Sequence, residues 1–375
     1  MFAYFQPLYL KEWGADPILI GGILSGMGIW MTVAQLPAGY FSDRFGPRPG
    51  MWAAWITGTI AAFVMAAAGT LPVFVVGMSL YGLCAFVVAP MNSYLTAVRG
   101  NWNIERAITV PSVFYNAGMV IGAVLGGFVA SKSGIHQIYM ISAVIFSLST
   151  GVVLFARPAP RDAHHEITAS RPNLFRNPRF LGLIGVIFIT MLALYLPQPL
   201  TPNYLQKQAG LSYQTIGLLG AVGSLGNAVI SFSMRGIQAP VAFLVGQALV
   251  FFYTLLLWQG RGVGWYALGY FFIGGYRLAR SMTLAYARQF IRASETGLAY
   301  GLVETANSAA IIFAPFIAGL LYTANPASMY TVSLVVISMV LLANIFIKRL
   351  LGGHLVNPAA PLGSPPAPEE PLLPL

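Results

Sequence analysis

Three ionisable side chains fall inside long apolar stretches: Arg277 and Arg280 within residues 263–290, and Glu304 within residues 297–322. In hydrocarbon such charges are costly, and they usually mark a solute path, a proton relay or a buried pair. Arg277 lies 14 residues past Val263, and Glu304 seven past Gly297. At about 1.5 Å per helical residue, that is about 21 Å into the membrane from one face and about 10 Å from the other. In a core about 30 Å thick the two depths are similar. The spacing predicts an Arg277–Glu304 pair able to bind an anionic group or carry a proton. The alternative is that the arginine heads snorkel to the near surface, Arg280 more readily than Arg277.

Tyr115, Asn116, Gln198 and Asn307 complete the candidate substrate or proton site. Gln6, Gln35, Asn92, Asn203 and Asn227 are further polar groups able to face a cavity, and each could instead be an interhelical hydrogen bond. Aromatic side chains are expected mainly to face lipid or pack. The remaining chemistry is sparse. The histidines His136, His164, His165 and His354 fall in loops, at a helix boundary or in the tail, so no metal site is expected. Cys84 is the one cysteine, which leaves no intrachain disulfide and no thiolate cluster. No G-x-x-x-x-G-K-S/T phosphate loop is present, so direct ATP drive is unsupported. A membrane-embedded enzyme would need acids, nucleophiles or metal ligands clustered at one depth. No enzyme activity and no cofactor are expected.

What must position these groups is a set of membrane helices. The 375 residues are 57% hydrophobic and 8% charged, against about 25% charged in soluble domains. Backbone groups in lipid must bond within their own segment, so the apolar runs read as helices. They cover residues 18–41, 51–69, 71–98, 107–130, 136–155, 180–205, 213–234, 240–258, 263–290, 297–322 and 328–347. Residues 1–10 are apolar but half a span long, and read as the outer half of a first helix whose inner half is missing. That makes twelve spans.

The net charge of +10 is distributed as topology rather than as a nucleic-acid surface. With the loop between spans two and three in the cytoplasm, only Lys11, Lys132, Lys207 and Arg261 of the 20 basic residues lie outside. The two halves also repeat. Pro7, Tyr9, Gly14, Ile20 and Gly21 match Pro202, Tyr204, Gly210, Ile216 and Gly217, and Asn116, Tyr139, Ser142 and Ser147 match Asn307, Tyr330, Ser333 and Ser338. A steady offset implies two parallel repeats with a solute site between them. The expected units are a six-helix bundle over 1–156, a cytoplasmic joint over 157–179, a second bundle over 180–347 and a disordered tail over 348–375.

Residues 39–49 read GYFSDRFGPRP. This resembles the G-x-L-x-D-R-x-G-R-R/K loop motif of the major facilitator superfamily, with Gly39, Asp43, Arg44, Gly46 and Arg48 on pattern positions, Phe41 in place of the leucine and Pro47 in place of one base. The fifth span carries Gly118, Gly122, Gly126 and Gly127. This stripe is similar to the G-x-x-x-G-P-x-x-G-G motif of the superfamily's drug antiporters, with Ala123 where that motif has proline; it also suits plain close packing of helices. The eleventh span has a partner stretch, residues 314–319. The R-x-x-Q-G motif of the fourth span is absent, since Met78 and Tyr81 precede Gly82. The resemblance covers about residues 1–347. It implies an all-α membrane protein of two six-helix bundles related by a pseudo-two-fold axis, with the first helix truncated here. It further implies alternating access, proton coupling, drug or metabolite efflux, and an Asp43 latch facing the start of the eleventh span in the outward-open state. Sugar or metabolite uptake and a non-transporting sensor stay open. The expected partners are a small solute, protons and the bilayer of a cell membrane, with no nucleic acid and a monomeric chain.

Overall fold

A computed structural model of the chain describes residues 1–157, 178–234, 236–287 and 296–352. The joint with His164 and His165, the tail with His354, and the side chains of residues 36–45 lie outside the described residues. Every regular element among the described residues is helical, and nine helices are long and apolar enough to cross a membrane. Their outward faces carry bare apolar side chains such as Phe114, Val152, Phe155 and Leu342, as a lipid solvent requires.

The first half comprises α1 (Gln6–Glu12), α2 (Pro17–Phe45), α3 (Pro47–Ala66), α4 (Leu71–Leu83), α5 (Val88–Ala97), α6 (Ile104–Ser133) and α7 (Ile135–Leu154). The second comprises α8 (Pro178–Tyr195), α9 (Thr201–Lys207), α10 (Tyr213–Ser233), α11 (Ala239–Gln259), α12 (Val263–Phe272), α13 (Gly274–Ala287), α14 (Thr296–Ala324) and α15 (Ser328–Gly352).

Three spans expected to be continuous are interrupted. The seventh breaks between α8 and α9, where Pro197 and Pro199 remove donors and bias the preceding residues away from helix. The fourth tightens into a 3-10 turn over Cys84–Val87 between α4 and α5. Pro90 cannot donate to the carbonyl one turn back, and its ring crowds that turn. The tenth breaks between α12 and α13 at Ile273, just before Gly274 and Gly275. A Cβ on Gly274 would stand 2.7 Å from Cα of Asn227, and one on Gly275 would stand 2.6 Å from the Gly246 carbonyl oxygen. Residues 42–45, expected in the loop after the second span, instead form the last turn of α2. Gly46 alone links α2 to α3, at φ +82°, where a side chain would be strained, and Pro47 opens α3 at a position that needs no donor.

The repeat read from sequence is a geometric repeat. Both α1 and α9 are seven-residue helices with proline in the first turn. Each is followed by a glycine at positive φ, Gly14 and Gly210, and then by a helix capped by a side chain. Asp16 accepts from the Leu19 amide and Ser212 from the Thr215 amide. Tyr9 lies 4.9 Å from Tyr139, and Tyr204 lies 4.9 Å from Tyr330.

The halves meet at two helix crossings that obey the same symmetry. A Cβ on Gly21 of α2 would stand 2.3 Å from the Pro315 carbonyl oxygen of α14, and one on Gly319 would stand 2.5 Å from that of Pro17. On the other side, a Cβ on Gly217 of α10 would stand 2.5 Å from the Ala123 carbonyl oxygen of α6, and one on Gly127 would stand 2.9 Å from that of Tyr213. Only glycine allows backbones this close. The Phe316 amide donates to Ser25 Oγ at 3.1 Å across the first crossing. Polar bonds close the same end: Asn203 donates to the Pro7 carbonyl at 3.0 Å, Lys11 to Gln206 at 3.1 Å and Tyr213 to Glu12 at 2.7 Å. Gly22, one residue along, has no atom within 4 Å of its Cβ position. Gly21→Ala is therefore expected to lower the thermal midpoint in detergent, since an overpacked contact costs about 1–3 kcal/mol. Gly22→Ala should leave it unchanged or raise it. Equal midpoints for the two variants would contradict the crossing.

Candidate functional site

Away from the crossed end the halves separate. A Cβ on Gly28 would meet the Ile311 carbonyl at 3.4 Å, and one on Gly118 would meet nothing within 4 Å. Between them lies a cavity of ≈ 720 Å³, within the range of small-molecule sites. The first half contributes Tyr4, Gln6, Met27, Met31, Tyr115 and Met119 to its wall. The second contributes Tyr195 and Gln198 at the α8–α9 break, Tyr253 of α11, Tyr270 of α12, Tyr276, Arg277 and Arg280 of α13, and Glu304 of α14. A smaller lobe of ≈ 290 Å³ shares Tyr4, Gln198, Tyr276 and Arg277, and adds Asn116, Ser224 and Asn227.

The helix interruptions place these groups. The proline break turns Gln198 inward, with its amide nitrogen held by the Leu194 carbonyl at 2.7 Å. The glycine break seats α13 against α10 and α11, burying Tyr276, Leu278 and Ala279 and leaving Arg277 exposed to the cavity. Across the halves, Asn227 donates to Asn116 Oδ1 at 3.3 Å, and Tyr4 bonds Ser224 at 3.0 Å.

The ion pair differs from the expected one. Glu304 pairs with Arg280, through Arg280 Nη2 and Glu304 Oε1, and not with Arg277. Asn307 donates to the second carboxylate oxygen of Glu304 at 3.2 Å and to Thr283 at 3.1 Å. The reason lies in the depth count. Arg277 and Glu304 were measured from opposite faces, and the α12–α13 break falls inside one of the two measurements. Counted along the helices from Ala287 and Thr296, the described residues on either side of residues 288–295, Arg280 lies about 10 Å in, Glu304 about 12 Å and Arg277 about 15 Å. Arg277 makes no hydrogen bond or ion pair among the described residues.

Of the candidate residues, Glu304, Arg277, Arg280, Tyr115 and Gln198 line the main cavity, and Asn116 lines the adjoining lobe. Asn307 supports Glu304 from behind. Gln6 and Asn227 also line these spaces, whereas Asn203 is spent on the bond that closes the crossed end. Gly122 and Gly126 of the glycine stripe pack against Met1, and Gly126 also against Phe5, while Gly118 packs against nothing. Arg48 stacks over Trp52 at 4.2 Å. Apart from Tyr115, sequence reasoning missed the cavity tyrosines. Their available signal was position: Tyr270 and Tyr276 flank the glycine pair, and Tyr195 precedes the prolines.

With Arg280 and Glu304 each about a third exposed, water screens the pair, and breaking it should cost about 1 kcal/mol rather than the several expected of a buried pair. Glu304→Gln and Arg280→Gln should each lower the thermal midpoint. The double variant should lose less than the sum, and Arg277→Gln should be neutral. A loss from Arg277→Gln equal to that from Glu304→Gln would assign the pair to Arg277 instead.

Comparison with known proteins bears on what this arrangement belongs to. The chain is 25% identical over 268 residues to the inner membrane transport protein YajR of Escherichia coli K12, covering 67% of this chain and 57% of that protein. It is 26% identical over 265 residues to the class C tetracycline resistance protein of Escherichia coli, covering 64% of each. The chain thus spans less than two thirds of the length of either relative. Among solved structures, a mutant of the nucleoside transporter NupG superposes with a TM-score of 0.77 at 13% identity, over 93% of this chain and 96% of that one, a likeness of fold. The family profile described as Major Facilitator Superfamily matches residues 1–279. With its two bundles, its repeat and its shared cavity, the chain belongs to the major facilitator superfamily, as a multi-pass integral membrane protein.

Proposed function

We propose that the chain performs secondary active transport of a small solute by alternating access, coupled to protons. In this reading residues 1–156 and 180–347 are the moving bundles, 157–179 a cytoplasmic joint and 348–375 a cytoplasmic tail, and the protein works as a monomer in the inner membrane. The observation that supports it is one cavity walled by both halves and bounded at one end by their crossings. With the Gly46 end assigned to the cytoplasm by its basic residues, the crossed end faces outward, and the cavity belongs to an inward-facing state.

Passage to the outward-facing state parts the crossings and closes the Gly46 end. Asp43 and Arg44 sit in the last turn of α2. There the helix's own dipole disfavours an acid, so Asp43 suits the positive start of the eleventh span as a latch.

Glu304 is the proton carrier in this account, being the acid that lines the cavity among the described residues. Its protonation removes the charge that neutralises Arg280. The glycine stripe and the tetracycline resistance relative support export of a drug or metabolite. The ion pair favours a second reading, uptake: a proton on Glu304 frees Arg280, so proton and anionic solute strengthen each other's binding and travel together. In proteoliposomes with an imposed pH gradient, Glu304→Gln should retain solute exchange and lose gradient-driven accumulation. Normal accumulation by that variant would remove the proton role, and absence of exchange in both proteins would remove transport itself.

A further inference from the structure

The cavity's charges do not cancel. Among the described residues its wall holds two arginines and one glutamate. Arg280 is already compensated by Glu304, which is itself held at both oxygens by Arg280 and Asn307. Arg277 stands one turn deeper, exposed to both lobes, with no hydrogen bond or ion pair. A guanidinium kept at this depth without a partner is costly unless something else meets it. A concave site with low-dielectric walls focuses its field, so one uncompensated positive charge raises the local concentration of anions and repels cations.

The surroundings say what kind of anion. Tyr4, Tyr195, Tyr276 and Met119 line both spaces that Arg277 lines, and Tyr253, Tyr270 and Met27 line the larger of the two. Such walls accept a flat apolar body by stacking and burial. Gln198 and Asn227 beside it each donate one amide N–H within the protein, to the Leu194 carbonyl and to Asn116, and each keeps a second N–H. Arginine presents a planar fork matched to a carboxylate or phosphate.

We propose that the cavity binds an organic anion with a flat aromatic body and one carboxylate or phosphate group, and that Arg277 is the residue that meets the negative charge. This rests on the transport reading only for its physiological use; binding itself is separable from movement across the membrane.

The test uses purified full-length chain in detergent and four probes sharing one ring system: 1-naphthoate, 1-naphthyl phosphate, neutral 1-naphthamide and cationic 1-naphthylmethylammonium. At least one anion should bind at least tenfold more tightly than the amide, and the cation more weakly still. Arg277→Gln should weaken the anion at least about tenfold, equivalent to about 1.4 kcal/mol, and leave the amide unchanged. Arg277→Lys should restore most of that loss. Glu304→Gln should move affinity the opposite way, tightening the anion by removing a negative charge. A structural role for Arg277 would instead weaken all probes together in both variants. Equal or tighter binding of amide or cation, no binding of any probe, or anion binding indifferent to Arg277→Gln would overturn the proposal. Anion binding without flux of the same probe in proteoliposomes would leave it standing and count against the transport reading instead.

Discussion

The architecture depends on carbonyl oxygens standing where a side chain would have to be. At Gly21, Gly319, Gly217 and Gly127 the two halves touch backbone to backbone. Lipid offers no hydrophobic drive for helix association, so van der Waals contact and polar bonds between close helices must supply it. Four positions without a Cβ bring α2 to α14 and α6 to α10 at one end. The pseudo-two-fold axis makes the two contacts equivalent: Pro315 in α14 offers its carbonyl to Gly21 as Ala123 in α6 does to Gly217. Because the glycine-to-carbonyl contacts cluster at one end, the helices diverge from there, and the central cavity is the space they leave. Contacts so concentrated, and joined by four polar bonds, can be made or broken as a unit, which is what a two-state device requires.

The cavity's contents follow from a second constraint, that irregular backbone at membrane depth survives only where protein or a cavity covers it. The proline break at residues 196–200 and the glycine break at residues 273–275 both abut the cavity, and each delivers functional groups to it: Tyr195 and Gln198 from the first, Tyr276, Arg277 and Arg280 from the second. The charged groups come mainly from the second half. The first half supplies apolar and hydroxyl-bearing walls, with Gln6 its polar exception. The same asymmetry extends to the repeat pairs. Asn307 supports a carboxylate, while its partner Asn116 meets Asn227 across the interface.

Much of this was legible in the sequence because the bilayer leaves so few choices. The span positions, the two-fold repeat and the packing role of Gly127 follow from length, charge placement and small-residue spacing. The pairing of Gly14 with Gly210 proved to be one of backbone conformation, both residues having positive φ. What was not legible was anything that depends on a helix ceasing to be straight. The prolines at 197 and 199 and the glycines at 274 and 275 stood in plain view, yet apolar patterning ran through them and concealed the breaks. The mistaken partner for Glu304 has that origin, since one break within the tenth span voids a depth count made from its far end. The tyrosine wall escaped for a different reason. In a chain this rich in aromatics, nothing local separates a ring facing lipid from a ring facing a cavity; only the packing of separate helices does so.

The central claim is that the crossings and the cavity belong to one end-to-end exchange. It is tested most directly by distances between spin labels in nanodiscs, with one pair at the crossed end, on Thr70 and Gln259, and one at the opposite end, on Asn101 and Gln238. The account predicts reciprocal behaviour across a change of pH or on addition of solute. As the crossed-end distance lengthens, the opposite-end distance shortens, and Gly21→Ala and Gly217→Ala shift both toward the state in which the crossed end is apart. A single fixed distance at each end, or two ends that open together, would contradict it.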